Sequence, residues 1–283
     1  PRSTLSSSSA ASDVYKRQTV EAVILIFKNW LGDLAGAWVF YTILPQWPLL
    51  KPRFKRIARF APLIGLLIGF LQSFFWLVFN YFDWPHTSIA LISIAISICI
   101  TGGLHIDGLM DTADGIGAGP SKRIEAMKDS RVGAIGVQSL VIILVLQIAA
   151  IIKLGFYAPF AFPIAAFWGR FSQIFAIGNY EYILNKEFGS IHQKYWRGIS
   201  QEIRPSLIII CIGIIFFLST TYLNLSNTLL LIYCISSGLT TSILIPHFIN
   251  KFLGGHNGDS YGAGLVITET TNLLLLSIIL VPN

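Results

Sequence analysis

The chain has 283 residues, of which 54% are hydrophobic and only 12% charged, and its mean hydropathy is +0.66. Soluble domains average about 25% charged residues, so this composition excludes a soluble globular protein and points to an integral membrane one. The formal net charge of +6 is carried by short loops between apolar segments, which fits the positive-inside bias rather than a nucleic-acid partner.

Residues 1–18, PRSTLSSSSAASDVYKRQ, are serine-rich, have no apolar period and do not begin with methionine. They lack the apolar centre of a signal peptide. They are expected to be a remnant foreign to the fold, with 19–283 forming a single membrane catalytic domain. Segment 20–44 is apolar but is interrupted by Glu21, Lys28 and Asp33 and ended by Pro45 and Pro48. It either spans or lies in the interface as an amphipathic helix, with an interfacial or re-entrant helix the preferred reading. Beyond it, the segments 61–82, 88–104, 134–152, 156–178, 205–223, 227–247 and 263–281 each approach the ~20 apolar residues that a helical span requires. Helix is the only conformation that satisfies an isolated backbone in lipid. The predicted fold is therefore all-α: a polytopic transmembrane helical bundle of about seven spans plus the N-terminal helix. Cys99, Cys211 and Cys234 lie inside apolar runs without ligand spacing and read as small buried hydrophobes.

Loop 51–59 carries Lys51, Arg53, Lys55, Arg56 and Arg59 and no acid, which assigns it to the cytoplasm. Alternation then places 83–87, 153–155 and 224–226 outside, and 105–133, 179–204 and 248–262 inside. The inside loops hold almost every ionisable residue, which favours an enzyme facing the cytoplasm. A carrier would more often keep its polar groups near the bilayer midplane. Cation transport, with the acids as an ion path, is the alternative of another class.

The first long inside loop opens with Gly102-Gly103-Leu104-His105-Ile106-Asp107-Gly108-Leu109-Met110-Asp111-Thr112-Ala113-Asp114-Gly115. Asp107, Asp111 and Asp114 follow i, i+4, i+7 spacing and share one helix face. Like charges so placed repel, and a divalent cation turns the repulsion into coordination. All-oxygen ligands suit magnesium or manganese. Mg²⁺ typically takes one or two carboxylates and completes its shell with water and phosphate. The alternative is a solvated acidic turn with capping aspartates. His105 reads equally as a general base, a metal neighbour or an interfacial residue without a role.

Met127-Lys128-Asp129-Ser130-Arg131-Val132-Gly133 follows. Lys128 and Arg131 are candidate phosphate contacts and Asp129 a candidate fourth metal ligand; the competing reading is a juxtamembrane charge cluster. Gly254-Gly255-His256-Asn257-Gly258-Asp259 leads into the last span, and amides at a helix start favour anions. Glu269 lies in that span and needs a partner. Arg170, late in 156–178, either reaches phosphate or snorkels, and Arg59 poses the same question. Loop 179–204 mixes Glu181, Lys186, Glu187, His192, Lys194, Trp196, Arg197, Glu202 and Arg204 without a legible spacing. In it, Tyr195 and Trp196 read as interface anchors rather than a stacking platform.

These motifs resemble the cobalamin synthase family, the adenosylcobinamide-GDP ribazoletransferases. The resemblance runs through Gly102–Leu109, Asp111–Gly115, Met127–Arg131 with Gly133, Phe40 to Pro45, Arg59 with Phe60, Pro62 to Gly65, and Asn257–Asp259 with Tyr261 and Gly262. It covers essentially all of 20–283. It implies that a hydroxyl of α-ribazole, or of its 5′-phosphate, attacks the phosphate on the cobinamide side of adenosylcobinamide-GDP and releases GMP. It also implies Mg²⁺ as cofactor and a multi-pass protein of the bacterial inner membrane with its site facing the cytoplasm. By motif match, Asp107, Asp111 and Asp114 are assigned to metal and pyrophosphate, with Asp129 and Asp259 as further acids. Lys128 and Arg131 would steady the departing GMP, and His105, Arg59, Arg170 and Asn257 complete the candidate site. The runner-up is a membrane CDP-alcohol-type phosphotransferase, but its signature places Asp-Gly and Ala-Arg at spacings absent here: after Asp107-Gly108 comes Leu109-Met110, with no Arg. The sequence is compatible with a homo-oligomer and sets no oligomeric state.

Overall fold

The computed structural model describes residues 6–183, 191–220 and 225–281. Its helices are α1 (Ser6–Tyr41), α2 (Ala61–Tyr81), α3 (His86–Ile100), α4 (Leu104–Gly117), α5 (Arg123–Lys128), α6 (Ala134–Leu154), α7 (Ala158–Asn179), α8 (Ile191–Lys194), α9 (Ile199–Glu202), α10 (Arg204–Thr220), α11 (Leu225–Leu253) and α12 (Gly258–Leu280). Among the described residues the only β pairing is an isolated bridge between Tyr182 and His256. The fold is a helical membrane bundle.

Five stretches are long and apolar enough to cross a bilayer: Gln18–Tyr41, Ala58–Tyr81, Ala134–Asn179, Leu225–Leu253 and Gly258–Leu280. The 46-residue stretch Ala134–Asn179 is a hairpin. Gln147 of α6 donates to Thr270 Oγ1 while Arg170 of α7 meets Glu269, the adjacent residue of α12, so the chain reverses between them. The reversal falls at Gly155, whose φ of +51° ends α6.

Lipid offers no hydrophobic drive between helices, so close packing must come from small residues. Gly65 and Gly69 of α2 supply it. A Cβ at Gly65 would collide with the Ala166 carbonyl oxygen, and one at Gly69 would collide with Pro163 Cα. Pro163 sits inside α7 and cannot donate to the carbonyl of Pro159. Ser73 of α2 donates its hydroxyl to that carbonyl at 2.6 Å, which restores the missing bond inside the bundle.

The expected span 205–223 is represented by a shorter apolar helix, Arg204–Thr220, with 221–223 outside the described residues, and two further segments differ from the sequence expectation. Segment 20–44, expected in the interface or re-entrant, is part of one unbroken helix with the length and hydropathy of a span. Only its last turns, with Ala35, Ala37 and Tyr41, are buried against the bundle, while Val20 to Phe27 stay exposed. Segment 88–104 is shorter than expected. Gly102 and Gly103 adopt φ of +62° and +74°, the left-handed region that glycine enters freely, and α4 leaves α3 at 89°. Cys99 and Cys211 face outward rather than inward, and Cys234 is buried.

Candidate active site

The bend at Gly102-Gly103 turns the acidic motif away from the direction of α3 and lays α4 across the end of the bundle, against α12, α6 and α5. Three carboxylates within eight positions are costly in lipid, and α4 counts toward a span only as the second half of the bent pair α3–α4. Its apolar side, including Leu109, packs on Ile249, Leu253 and Leu265. Gly108 makes the decisive approach. A Cβ there would lie 2.5 Å from the Asp259 carbonyl oxygen, so only glycine lets α4 touch the first turn of α12. That contact brings Asp259 to the acidic face of α4.

Asp111 shows the consequence. Burial pushes its carboxyl up to about 6, and the charges of Asp107, Asp259 and Asp114 push the same way. Asp107 is exposed and Asp111 half-buried. Both line a pocket of about 330 Å³ shared with Met127, Lys128, Ser130 and Arg131. Asp259 is aimed by its neighbour: Asn257 donates from Nδ2 to Asp259 Oδ2 at 2.8 Å. Asn257 also caps α12, accepting from the Ser260 amide at 2.9 Å while Ser260 Oγ accepts from the Asn257 amide at 2.8 Å. The turn beneath is held by His256, which reaches Ser260 Oγ and the Pro246 carbonyl at 3.0 Å each. Its backbone pairs with Glu181 and Ile183.

The i, i+4, i+7 trio is not three equivalent acids. Asp114 accepts backbone N–H groups from Gly133 at 2.9 Å and Gly136 at 2.8 Å. It caps the start of α6, where a carboxylate meets unpaired amides and the positive end of the helix dipole. Asp129 is bound side-on by Arg131, with contacts of 2.6 and 3.0 Å, and this pairing holds its carboxyl down to about 2. Asp129 and Arg131 thus neutralise each other at the pocket rim, while Lys128 stands exposed beside them.

Three further candidates lie elsewhere. Arg170 is buried in α7 and pairs with Glu269 at 2.5 Å. Each is the partner the other needs in the membrane interior, so Arg170 neither snorkels nor faces the acidic pocket. His105 is buried, and among the described residues its Nε2 has no hydrogen-bond partner. It lines a separate space of about 30 Å³ with Gln147, Arg170 and Glu269. Arg59 is buried against α1, donates to Asp33 Oδ2 at 2.9 Å and lies over the Trp30 and Phe60 rings. The structure brings together Asp107, Asp111, Asp114, Lys128, Asp129 and Arg131, with Asp259 and Asn257 at the edge, and separates His105, Arg59 and Arg170 from them. Lys186 and Glu187 lie outside the described residues.

The donor set suits a hard cation. Among the described residues no three His, Cys, Asp or Glu side chains already form a cage for an ion. Mg²⁺ does not need one, because it typically binds through one or two carboxylates and fills its shell with water and phosphate oxygens. Asp107 and Asp111 make no ion pair among the described residues, and the charge of Asp259 bears on Asp111.

Comparison with known proteins settles the kinship. The family profile described as Cobalamin-5-phosphate synthase matches residues 33–277. This chain belongs to that family. An adenosylcobinamide-GDP ribazoletransferase of Prochlorococcus marinus (strain SARG) is 52% identical over 254 residues, covering 89% of this chain and 97% of the relative. A protein of the same name from Prochlorococcus marinus (strain MIT 9303) is 47% identical over 253 residues, covering 89% and 97%. Another from Trichormus variabilis (strain ATCC 29413 / PCC 7937) is 34% identical over 251 residues, covering 88% and 98%. No solved structure matches the chain.

Proposed function

We propose that this chain is an adenosylcobinamide-GDP ribazoletransferase whose reaction centre is the face shared by α4 and the start of α12. The carrying observation is the crowding of Asp107, Asp111 and Asp259 around the Gly108 contact, with Asp111 destabilised as a carboxylate. Unpaired acids at a membrane edge are a functional arrangement by default. Family membership sets aside the CDP-alcohol-type phosphotransferase and the cation transporter.

In the proposed reaction, a hydroxyl oxygen of α-ribazole or its 5′-phosphate forms a bond to the phosphorus carried by cobinamide. The phosphoanhydride bond to GMP breaks, and GMP leaves with the bonding electrons. The hydroxyl proton passes to a carboxylate of the Asp107, Asp111 and Asp259 group. Bound Mg²⁺ supplies charge neutralisation of the diphosphate, with Asp107 and Asp111 as the residues that hold it. Asn257 keeps Asp259 pointed at the site through the 2.8 Å bond. Lys128 offers an ammonium to the leaving phosphate, and Arg131 joins it when its pairing with Asp129 opens. Asp114 fixes α6 against α4 and acts by position. We place the protein in the inner membrane with this face in the cytoplasm, alone or as a homo-oligomer.

Purified protein with Mg²⁺ is expected to release GMP from adenosylcobinamide-GDP only when α-ribazole or its phosphate is present. Release with a diacylglycerol acceptor instead would favour a lipid-type phosphotransferase. A cysteine introduced at Ala118, after replacement of the native cysteines, is expected to react with impermeant reagent only from the cytoplasmic side. Labelling only from outside would invert the topology.

A further inference from the structure

A second polar pocket, of about 360 Å³, lies between the segment after α1 and the α8–α9 segment. It holds Arg53, Lys55, Arg56, Lys194 and Arg197 against the single carboxylate of Asp33. Asp33 is already engaged by Arg59 at 2.9 Å and Arg53 at 3.5 Å, and Arg56 is held by Glu202 at 2.7 Å. Among the described residues the side chains of Lys55, Lys194 and Arg197 make no ion pair, and Glu202 Oε1 accepts only from the Arg197 backbone amide, at 3.3 Å. The Lys55 and Lys194 ammoniums stand 5.5 and 5.6 Å from the same Tyr195 ring, so the pocket gathers like charges around one aromatic side chain.

The pocket is built, not incidental. Gly36 lets the basic segment lie on α1: a Cβ there would collide with the Arg53 carbonyl oxygen. The Arg53 amide donates to the Gly32 carbonyl at 2.9 Å. Behind the pocket's α8 side, the His192 ring stacks on Tyr41 at 6.4 Å and meets Tyr261 edge-on at 6.3 Å. Tyr261 lies in the first turn of α12, so these ring contacts hold α8 to the end of α1 and to the start of α12.

We propose that this pocket is the subsite for a phosphate monoester borne by the nucleoside acceptor, with Lys55, Lys194 and Arg197 on the phosphate and Trp196 beside the base. Gathered cations with no anion of their own call for a compact multivalent one, and charge-assisted bonds to phosphate are strong. The pocket volume is in the range of small-ligand sites. The inference rests on the ribazoletransferase reading for the identity of the acceptor. An anionic lipid headgroup shares the same phosphate chemistry.

The test compares wild type with Lys194→Gln/Arg197→Gln, two exposed positions, in nanodiscs of phosphatidylcholine with and without phosphatidylglycerol. Calorimetric titration with α-ribazole 5′-phosphate and with α-ribazole is expected to show the phosphate ester bound about tenfold or more tighter by wild type. The double variant is expected to lose that preference, with a matching rise in KM for the ester and little change in kcat. A preference that survives the double substitution overturns the inference, as does a loss seen only in phosphatidylglycerol binding, which would make the pocket a headgroup site. Wild type that releases no GMP with either acceptor refutes the activity instead, while the titration still decides the pocket.

Discussion

The molecule handles charge in two opposite ways. In the bundle interior, Arg170 and Glu269 are matched one to one at 2.5 Å, and Gln147, Thr270, Asn272 and Thr241 close hydrogen bonds around them. Where α4 meets the start of α12, Asp107, Asp111 and Asp259 crowd together without cationic partners among the described residues. A buried charge must be paired because desolvation is expensive. An edge charge can be left unpaired because water covers it until a ligand arrives. The comparison separates residues that hold the bundle from residues that wait for substrate, and the substitutions below press on that boundary.

The largest effects should come from one residue on each side. Asp111→Asn is expected to lower turnover by about a thousandfold or more, the scale of losing a central electrostatic contact. Thermal unfolding in detergent should stay unchanged or shift upward, because a carboxyl held up by burial and by like charges gains from being neutral. A large fall in melting temperature would make Asp111 a structural residue. Arg170→Met is expected to do the reverse, costing about 3–5 kcal/mol by stranding a buried carboxylate. The double change Arg170→Met/Glu269→Leu should recover much of it. Equal instability of the single and double variants would show that the pair is not the matched unit described here.

Asp114 sharpens the comparison within one helix. Asp114→Ala removes the acceptor for the Gly133 and Gly136 amides, and is expected to cost about 1–2 kcal/mol of stability. Its activity loss should be smaller than that of Asp111→Asn. The smallest effect is in pH. Protons compete with the cation for carboxylates, and the Asp111 carboxyl is raised to about 6. Mg²⁺ affinity should therefore be flat near pH 8 and weaken on acidification through that value, by at most about tenfold per unit. An affinity independent of pH between 5 and 8 would remove Asp111 from the metal.

Much of this was legible in the sequence because lipid leaves the backbone few options. Each expected span after residue 60 has a helix, although those in 88–104 and 205–223 are too short to cross alone, and the Arg170 and Glu269 questions answer one another. What pattern could not supply was pairing across the chain. Asp107, Asp111 and Asp114 have the same spacing as a ligand stripe, yet Asp114 is taken by amides 19 and 22 residues away. Asp259 joins the acids only through the glycine contact at Gly108. The basic segment 51–56 reads as a topology signal, and Lys194 to Arg197 as scattered charge. Their meeting depends on Gly36 and on the ring contacts of Tyr41, His192 and Tyr261. The paired small residues at 32 and 36 were the one signal that something packs closely there.

Electron paramagnetic resonance of Mn²⁺ bound with adenosylcobinamide-GDP, with phosphorus coupling resolved by double resonance, reads the metal's neighbours directly. Wild type is expected to show an ordered Mn²⁺ coupled to phosphorus, and Asp107→Asn/Asp111→Asn to return the spectrum to the free aqueous ion. Unchanged phosphorus coupling in that double variant, or a free-ion spectrum in wild type, would contradict the assignment of these acids to the metal and its diphosphate.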